Sequence, residues 1–490
     1  MTTDSTGGPG RTALAARLRE LVAQAPDRPA VTDDHVTLTR AELDRRTNQL
    51  ARRFASLGVT RGSMVSIALV NQVRHLECSI AAWKLGAIPQ PLSHRLPPAE
   101  LSALLDVADP ALVVGLRPQD GRPWLRGDED VADESDAAPP DVIGPAWKAP
   151  TSGGSTGRPK LIVAGQEATA EAVLAGADHL RLERDGVMLT TAPLYHNAPN
   201  MFSLISVLQG GHVVLMSRFD ADRALGLIEQ HAVTWLYVVP TMMGRMLRLP
   251  AERRAEVDLS SLRTVFHIGA PCPQHVKRGW IDWVGPEKVV EVYAGTEALA
   301  STMIDGVEWL QRPGSVGKVA AGEITARDEE FRELPPGEVG ELWLRPAPGA
   351  SPPYRYVGAD PRARDGWESL GDMGCFDVDG YLYLADRSTD VVLVGGANVY
   401  PAEVENALAE HPHVTSSAVI GLPDDDLGNV VHAILQTTGP VPDEELLEHL
   451  RARLAPYKIP RSFEFTGEPL RDDAGKVRRS ELRAARLRKD

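Results

Sequence analysis

Residues 150–160 read PTSGGSTGRPK, and this run decides how the rest of the chain is read. Glycines let backbone N–H groups approach anionic oxygens with no Cβ in the way, hydroxyls add donors, and the closing lysine supplies a mobile positive charge. Ser152, Ser155, Thr156 and Lys160 are the donors to follow. The spacing is not that of a P-loop NTPase, because Gly157 is followed by Arg158 and Pro159 and no GK[ST] follows the glycines. Taken alone, a Gly/Ser/Thr run is more often a flexible loop than a nucleotide site. The flanking segments must decide.

Outward from this run, helix and strand signals alternate. Leu14, Leu18, Leu21 and Val22 share one helical face. Thr39 and Glu42 form a capping box ahead of the stripe Leu43, Leu50, Phe54 and Leu57, with Gly58 where a helix ends. Residues 64–70 (MVSIALV) read as a buried strand, followed by an apolar helical segment through 79–85 and a glycine stop. The alternation continues with strands at 111–114, 187–191, 213–216, 235–239 and 264–268, predicting an α/β fold with a large multi-layer N-terminal domain. Residues 117–145 are acidic, proline-rich and aperiodic, and read as a surface excursion.

The character changes near residue 386. A short strand (VVLV), a double glycine, a helix over 401–410, strands near 417–420 and 431–435 and a helix over 443–454 predict a small α+β unit of about 100 residues. The expected division is 1–386 and 387–490. The basic ending, RRSELRAARLRKD, reads as a solvated helix face, but Lys476 sits apart from it in the turn DDAGKV.

Composition sets outer limits. A chain of 490 residues exceeds what one core usually supports, in agreement with two domains. A net charge of −15 argues against general affinity for nucleic acid or anionic membrane, so an anionic ligand needs a local basic site. The start, MTTDSTGGPGRT, lacks the basic and apolar regions of a signal peptide, and no apolar run reaches transmembrane length, so no membrane insertion and a cytoplasmic location are expected. Cys78, Cys272 and Cys375 lie too far apart for a disulfide framework or a zinc pattern; Cys272, in GAPCP, reads as a structural thiol rather than a nucleophile.

Four further segments bear on the opening run. TAPLYHNAPN (191–200) places a histidine and two asparagines just after a strand, where α/β proteins gather ligand contacts. EVYAGTEA (291–298) offers an aromatic ring, a hydroxyl and a carboxylate, and DGWESLGDMG (365–374) presents Asp372 beside glycine. DRSTDVVLVGGANVYPAEVE (386–405) brings an arginine, a glycine pair and a proline-started helix. Singly, each has a plain structural explanation: a core tyrosine, turn carboxylates or a packed histidine.

In this order the segments resemble the adenylate-forming (ANL) superfamily, which includes acyl-CoA and aryl-CoA synthetases, peptide-synthetase adenylation domains and luciferases. The resemblance runs from LTRAELDRRTNQLARRFASLGVTRGSMVSIAL (38–69) to the terminal GK turn. It implies that Thr151, Ser152, Gly153, Gly154, Ser155, Thr156, Gly157 and Lys160 hold the β and γ phosphates of ATP. Tyr293 would stack on adenine beside Ala294, Gly269 and Ala270, Thr296 would bind the α-phosphate, and Glu297 would hold Mg2+. Asp372 would accept from the ribose hydroxyls, assisted by Arg387. Lys476 would reach the substrate carboxylate and α-phosphate, and its small domain would be mobile. Tyr195, His196, Asn197 and Asn200 would line the acyl pocket, with His196, Thr296, Glu297 and Lys476 as the catalytic set. Gly395 and Gly396 would let the pantetheine arm of coenzyme A pass. An aromatic face suits a purine, a carboxylate a hard cation, and an aspartate a vicinal diol.

The implied activity is that of an AMP-forming acid:CoA ligase, with a carboxylic acid and CoA as partners and ATP, Mg2+ and coenzyme A as cofactors. TSGGSTGRPKLIV, YAGTEA and GVEWLQRPGSVGK most resemble bile-acid and aryl-CoA ligases, so a ring-bearing acid is expected. Alternatives of the same fold are loading of a carrier protein and ATP-dependent activation of nitrite for diazotisation of an aryl amine. Assembly is left open, with a homodimer as one option. Thr389 stands where many relatives carry Asp or Lys at the hinge, and Ala294 where glycine is common.

Overall fold

The computed structural model describes residues 11–152, 159–387, 389–395, 397–424, 426–472 and 475–487, with the backbone alone for Ser152 and Arg387. Its largest sheet has nine strands in the order Lys318–Ala321, Ser301–Asp305, Val289–Ala294, Thr264–His267, Trp235–Val238, Val187–Thr190, His212–Leu215, Pro29–Thr32, Thr37–Thr39. The run from Val289–Ala294 to Pro29–Thr32 is parallel, and the three edge strands are antiparallel. Strands buried on both faces read as continuous apolar runs, which is why WLYV and TVFH are buried throughout. Helices Leu14–Gln24, Val73–Lys84, Asn197–Leu208 and Gln274–Val284 share one core with these strands.

A four-stranded parallel sheet (Ile88–Pro91, Met64–Ile67, Leu112–Val114, Trp124–Leu125) packs against helix Arg40–Ser56. That helix starts as expected: the Thr39 side chain accepts from the Glu42 N–H while Glu42 accepts from the Thr39 N–H. The excursion over 117–145 is not free of the fold. Trp124–Leu125 extends the parallel sheet, and Asn48, Gln49 and Arg52 donate to carbonyls of Asp136, Ala132 and Ala137. Polar side chains of a helix thus supply the backbone partners that an aperiodic segment lacks.

The central region forms two antiparallel sheets that sequence periodicity left unassigned. One pairs Tyr354–Val357, Lys160–Ala164 and Thr151–Ser152; the other pairs Glu323–Arg327, Gly340–Arg345, Trp367–Phe376 and Arg362–Arg364, with Leu382–Arg387 beside Trp367–Phe376. A separate core starts at Val392 and unites helices Pro401–Ala409 and Asp443–Arg451 with strands Val414–Asp424 and Gly428–Thr437. Both strands run longer than their apolar centres suggested, because the antiparallel ladder continues past them to Asp424↔Gly428. The double glycine does not lead straight into a helix: Gly395, at φ +55°, turns Val392–Val394 back on Ala397–Val399 before Pro401. Among the described residues, no helix is long and apolar enough to cross a membrane.

Candidate active site

The nucleotide-type residues meet where two sheets abut. Tyr293 is the penultimate residue of strand Val289–Ala294, and its hydroxyl donates to Asp372 Oδ2 at 2.8 Å, from strand Trp367–Phe376. The β-register sets Arg387 opposite Asp372, so an aromatic face, a carboxylate and an arginine backbone position converge from three stretches of chain. Gly269, Ala270, Ala294 and Thr296 line the same cleft, Gly269 at φ +95° where a side chain would be strained.

Next to them lies a cation–aromatic–carboxylate series. Lys160 Nζ stands 4.0 Å over the ring of Tyr356, and the Tyr356 hydroxyl donates to Glu297 Oε1 at 2.6 Å. Strand pairing brings them together, since Tyr354–Val357 runs antiparallel to Lys160–Ala164. Burial first, and then the Glu297 hydrogen bond, holds the Tyr356 phenol above its ordinary pKa, so it remains a donor. Thr151 lines the cleft beside Lys160. Gly153, Gly154, Ser155, Thr156 and Gly157 lie outside the described residues, as do the side chains of Ser152 and Arg387.

The expected acyl wall is the start of helix Asn197–Leu208. His196 is its N-cap residue, with its ring 4.4 Å from that of Tyr195. Asn197 faces the cleft and accepts from Lys148 Nζ at 2.5 Å. Asn200 does not join it. Only 3% exposed, its amide meets His75 Nε2 at 3.3 Å, away from the cleft lining. Residues 197 and 201 fall on one helical face, whereas 200 is turned about 100° from 201, which sends it into the core. Helix Val73–Lys84 braces both walls: His75 meets Asn200, and the Trp83 indole donates to the Trp147 carbonyl at 2.7 Å. Desolvation pushes His75 down to about 4, so it is neutral.

Lys476 lines the cleft from the small domain. Its N–H donates to Asp472 Oδ1 at 2.9 Å, which closes the turn. Gly475, at φ +76°, sits so close to helix Pro240–Leu247 that a Cβ would lie 3.1 Å from Thr241 Oγ1. Gly395 lies outside the cleft lining, and Gly396 is outside the described residues. Cys272 borders the cleft, but desolvation raises its thiol pKa, which suits a structural thiol. Beneath the cleft, Lys277 Nζ pairs with Glu291 Oε2 at 2.6 Å, both buried, beside a neutral His267 that burial pushes down to about 4.

Sequence reasoning passed over Lys148 and Tyr356. Lys148 left one trace, a charge inside the apolar run Ala146, Trp147, Ala149; Tyr356 left only the alternation of PYRYV. Their partners lie 49 and 59 residues away, beyond what local periodicity can report.

Comparison with known proteins fits this geometry. The family described as AMP-binding enzyme matches residues 18–354, and the AMP-binding enzyme C-terminal domain matches residues 403–476. A feruloyl-CoA synthase of Amycolatopsis is 34% identical over 481 residues, covering 94% of this chain and 96% of its own. A 2-succinylbenzoate–CoA ligase of Bacillus licheniformis is 31% identical over 488 residues, covering 95% and 98%. The solved o-succinylbenzoate CoA synthetase of Bacillus subtilis, in complex with its acyl-adenylate intermediate, superposes with a TM-score of 0.82 at 26% identity, over 95% of this chain and 97% of that one. The order of motifs, the nine-stranded sheet and the small C-terminal domain whose Lys476 lines the cleft therefore share one explanation: the chain belongs to the AMP-binding (adenylate-forming) enzyme family.

Proposed function

We propose that the protein is an ATP-dependent, AMP-forming acid:CoA ligase that activates a ring-bearing carboxylic acid. The observation that carries this reading is the convergence of Lys160, Glu297, Tyr293, Asp372, His196 and Lys476 on one cleft, although they span more than three hundred residues of chain. Relatives named for feruloyl, 2-succinylbenzoate and indoleacetate substrates support the ring.

A carboxylate is a poor electrophile, because its charge repels nucleophiles and its oxygen leaves badly. Attack of the acid's oxygen on the α-phosphorus of ATP gives an acyl-adenylate and pyrophosphate; the thiol of CoA then attacks the carbonyl and AMP leaves. The first step needs in-line placement and charge neutralisation rather than a general base. In this assignment Tyr293 stacks on adenine, Asp372 accepts from ribose and Thr296 donates to the α-phosphate. Lys160 holds the departing pyrophosphate, and Lys476 bridges carboxylate and α-phosphate. His196 shapes the entry to the acid pocket beside Tyr195 and Asn197. Glu297 is the carboxylate that would hold Mg2+, which when bound neutralises phosphate charge. Among the described residues no group of three or more His, Cys, Asp or Glu side chains is arranged to hold a metal ion by itself, which suits a hard ion that would take much of its shell from phosphate oxygens and water. Residues 387–490 act as the unit that turns between the half-reactions, and a turned position brings Gly395 and Gly396 to the pantetheine path.

The test supplies ATP, magnesium and a panel of aromatic acids, with or without CoA, and follows pyrophosphate and thioester. Acid-dependent pyrophosphate release with CoA thioester formation is expected. Thioester appearing only on a carrier protein, or pyrophosphate appearing only with nitrite and an aryl amine, overturns the reading.

A further inference from the structure

Lys148 is a buried cation that the adenylation chemistry leaves unused. It is 8% exposed, between Trp147 at 6% and Ala149 at 0%. An ammonium carries three donors and a full charge. Here one donor meets Asn197 Oδ1 at 2.5 Å and another the weak acceptor Met201 Sδ at 3.5 Å, while the Trp147 ring centroid stands 4.9 Å away. Among the described residues no carboxylate forms an ion pair with it. Glu297 acts only as a more distant charge, too weak to offset the desolvation that pushes Lys148 down to about 7.

The surroundings compound the problem. Asn197 and Met201 lie at the start of helix Asn197–Leu208, and the partial positive charge of a helix N-terminus repels a cation and attracts an anion. An unpaired buried ammonium costs several kcal/mol, and such a group is stabilised when an anion enters beside it. Lys148 lines the cleft with His196 and Asn197, so an entering acid can reach it. In the assignment above, the reacting carboxylate already has a cation in Lys476. None of Trp147, Asn197 and Met201 belongs to the elements that carry Thr296 or Lys476.

We propose that Lys148, supported by Asn197, is a specificity-determining residue that binds a second acidic group of the acid substrate, a carboxylate, sulfonate or ionisable phenol on the ring, remote from the carboxylate that is activated. This rests on the acid-activating reading of the cleft. The preferred substrates are then ring acids with a second acidic substituent, whereas their unsubstituted counterparts bring no anion to hold the proton on Lys148.

The test compares 3- and 4-carboxycinnamate with 4-methylcinnamate in pyrophosphate release by the wild type and K148M, whose side chain is similar in length and uncharged. The wild type is expected to favour one of the dicarboxylates. K148M is expected to raise KM for that acid by about 10- to 100-fold, the worth of a charged hydrogen bond, while KM for ATP and the rate with 4-methylcinnamate stay within about twofold. K148Q serves the same comparison if K148M does not fold. Equal losses on all acids, or none on any, overturn the role of Lys148. A wild type that releases no pyrophosphate with any acid overturns the acid-activating reading instead.

Discussion

At the scale of single residues, the site divides into groups that would touch substrate and groups that hold them in place. Lys476 belongs to the first kind. K476A is expected to lower pyrophosphate release by about 10²- to 10³-fold with ATP affinity little changed, as read by rapid quench and nucleotide titration; undiminished release removes it from adenylation. Tyr356 belongs to the second, fixing Glu297 through one hydrogen bond and lying beneath Lys160. Y356F is expected to reduce kcat by about tenfold and raise the magnesium concentration needed for half-maximal rate, with KM for the acid unmoved. A change in acid KM alone places Tyr356 elsewhere. Tyr293 and Glu297, singled out by the order of motifs, do line the cleft. Tyr356 and Lys148 were not singled out, since their importance comes from partners that only the folded chain brings near. Asn200 shows the opposite error: beside His196 in sequence, it is turned from the cleft by helical rotation.

At the scale of elements, the alternation of apolar runs located the parallel strands Leu112–Val114, Val187–Thr190, His212–Leu215, Trp235–Val238 and Thr264–His267 to within a residue. It overran Met64–Ile67 by three and left Pro29–Thr32, Ile88–Pro91, Trp124–Leu125 and Val289–Ala294 unassigned, while the capping box fixed the start of helix Arg40–Ser56. The antiparallel sheets over 323–387 were not visible, because they are half-buried, polar and paired across long loops. The last helix, Arg479–Leu487, buries no residue, yet it is more than a solvated face. Arg479 reaches Asp390 at 2.9 Å, Glu405 at 2.8 Å and Asp386 at 3.6 Å, joining the helix to the segment between the two cores. Thr389 departs from the hinge pattern, but Asp390 beside it supplies an anchored carboxylate. R479M leaves three acids facing one another with Arg471 as the remaining cation near Glu405. It is expected to destabilise the small domain by on the order of 3 kcal/mol, seen as an early transition in thermal unfolding; a single unshifted transition contradicts that role.

At the scale of the whole molecule, the large domain carries histidines whose neutral form the fold requires. Burial pushes His75, His212 and His267 down to about 4 from 6.5. The unfolded chain therefore takes up protons below pH 6.5 before the folded one does. The stability these residues contribute is complete above 6.5 and is lost as pH falls toward 4, at roughly 3 kcal/mol each. Thermal midpoints measured from pH 7.5 to 4.5 are expected to fall steeply below 6.5; a flat profile shows that these histidines titrate normally. Helix Val73–Lys84 has a consequence of another kind. Its His75 steadies the helix that carries Asn197, and its Trp83 steadies the strand approach that carries Lys148. The two anchor points are eight residues apart, about 12 Å of helical rise, so this helix acts as a caliper of fixed jaw. On the acid-activating assignment proposed above, the spacing of Asn197 and Lys148 is set by a helix that does not line the cleft, and redesign for bulkier acids should begin at that remote gauge as well as in the pocket itself.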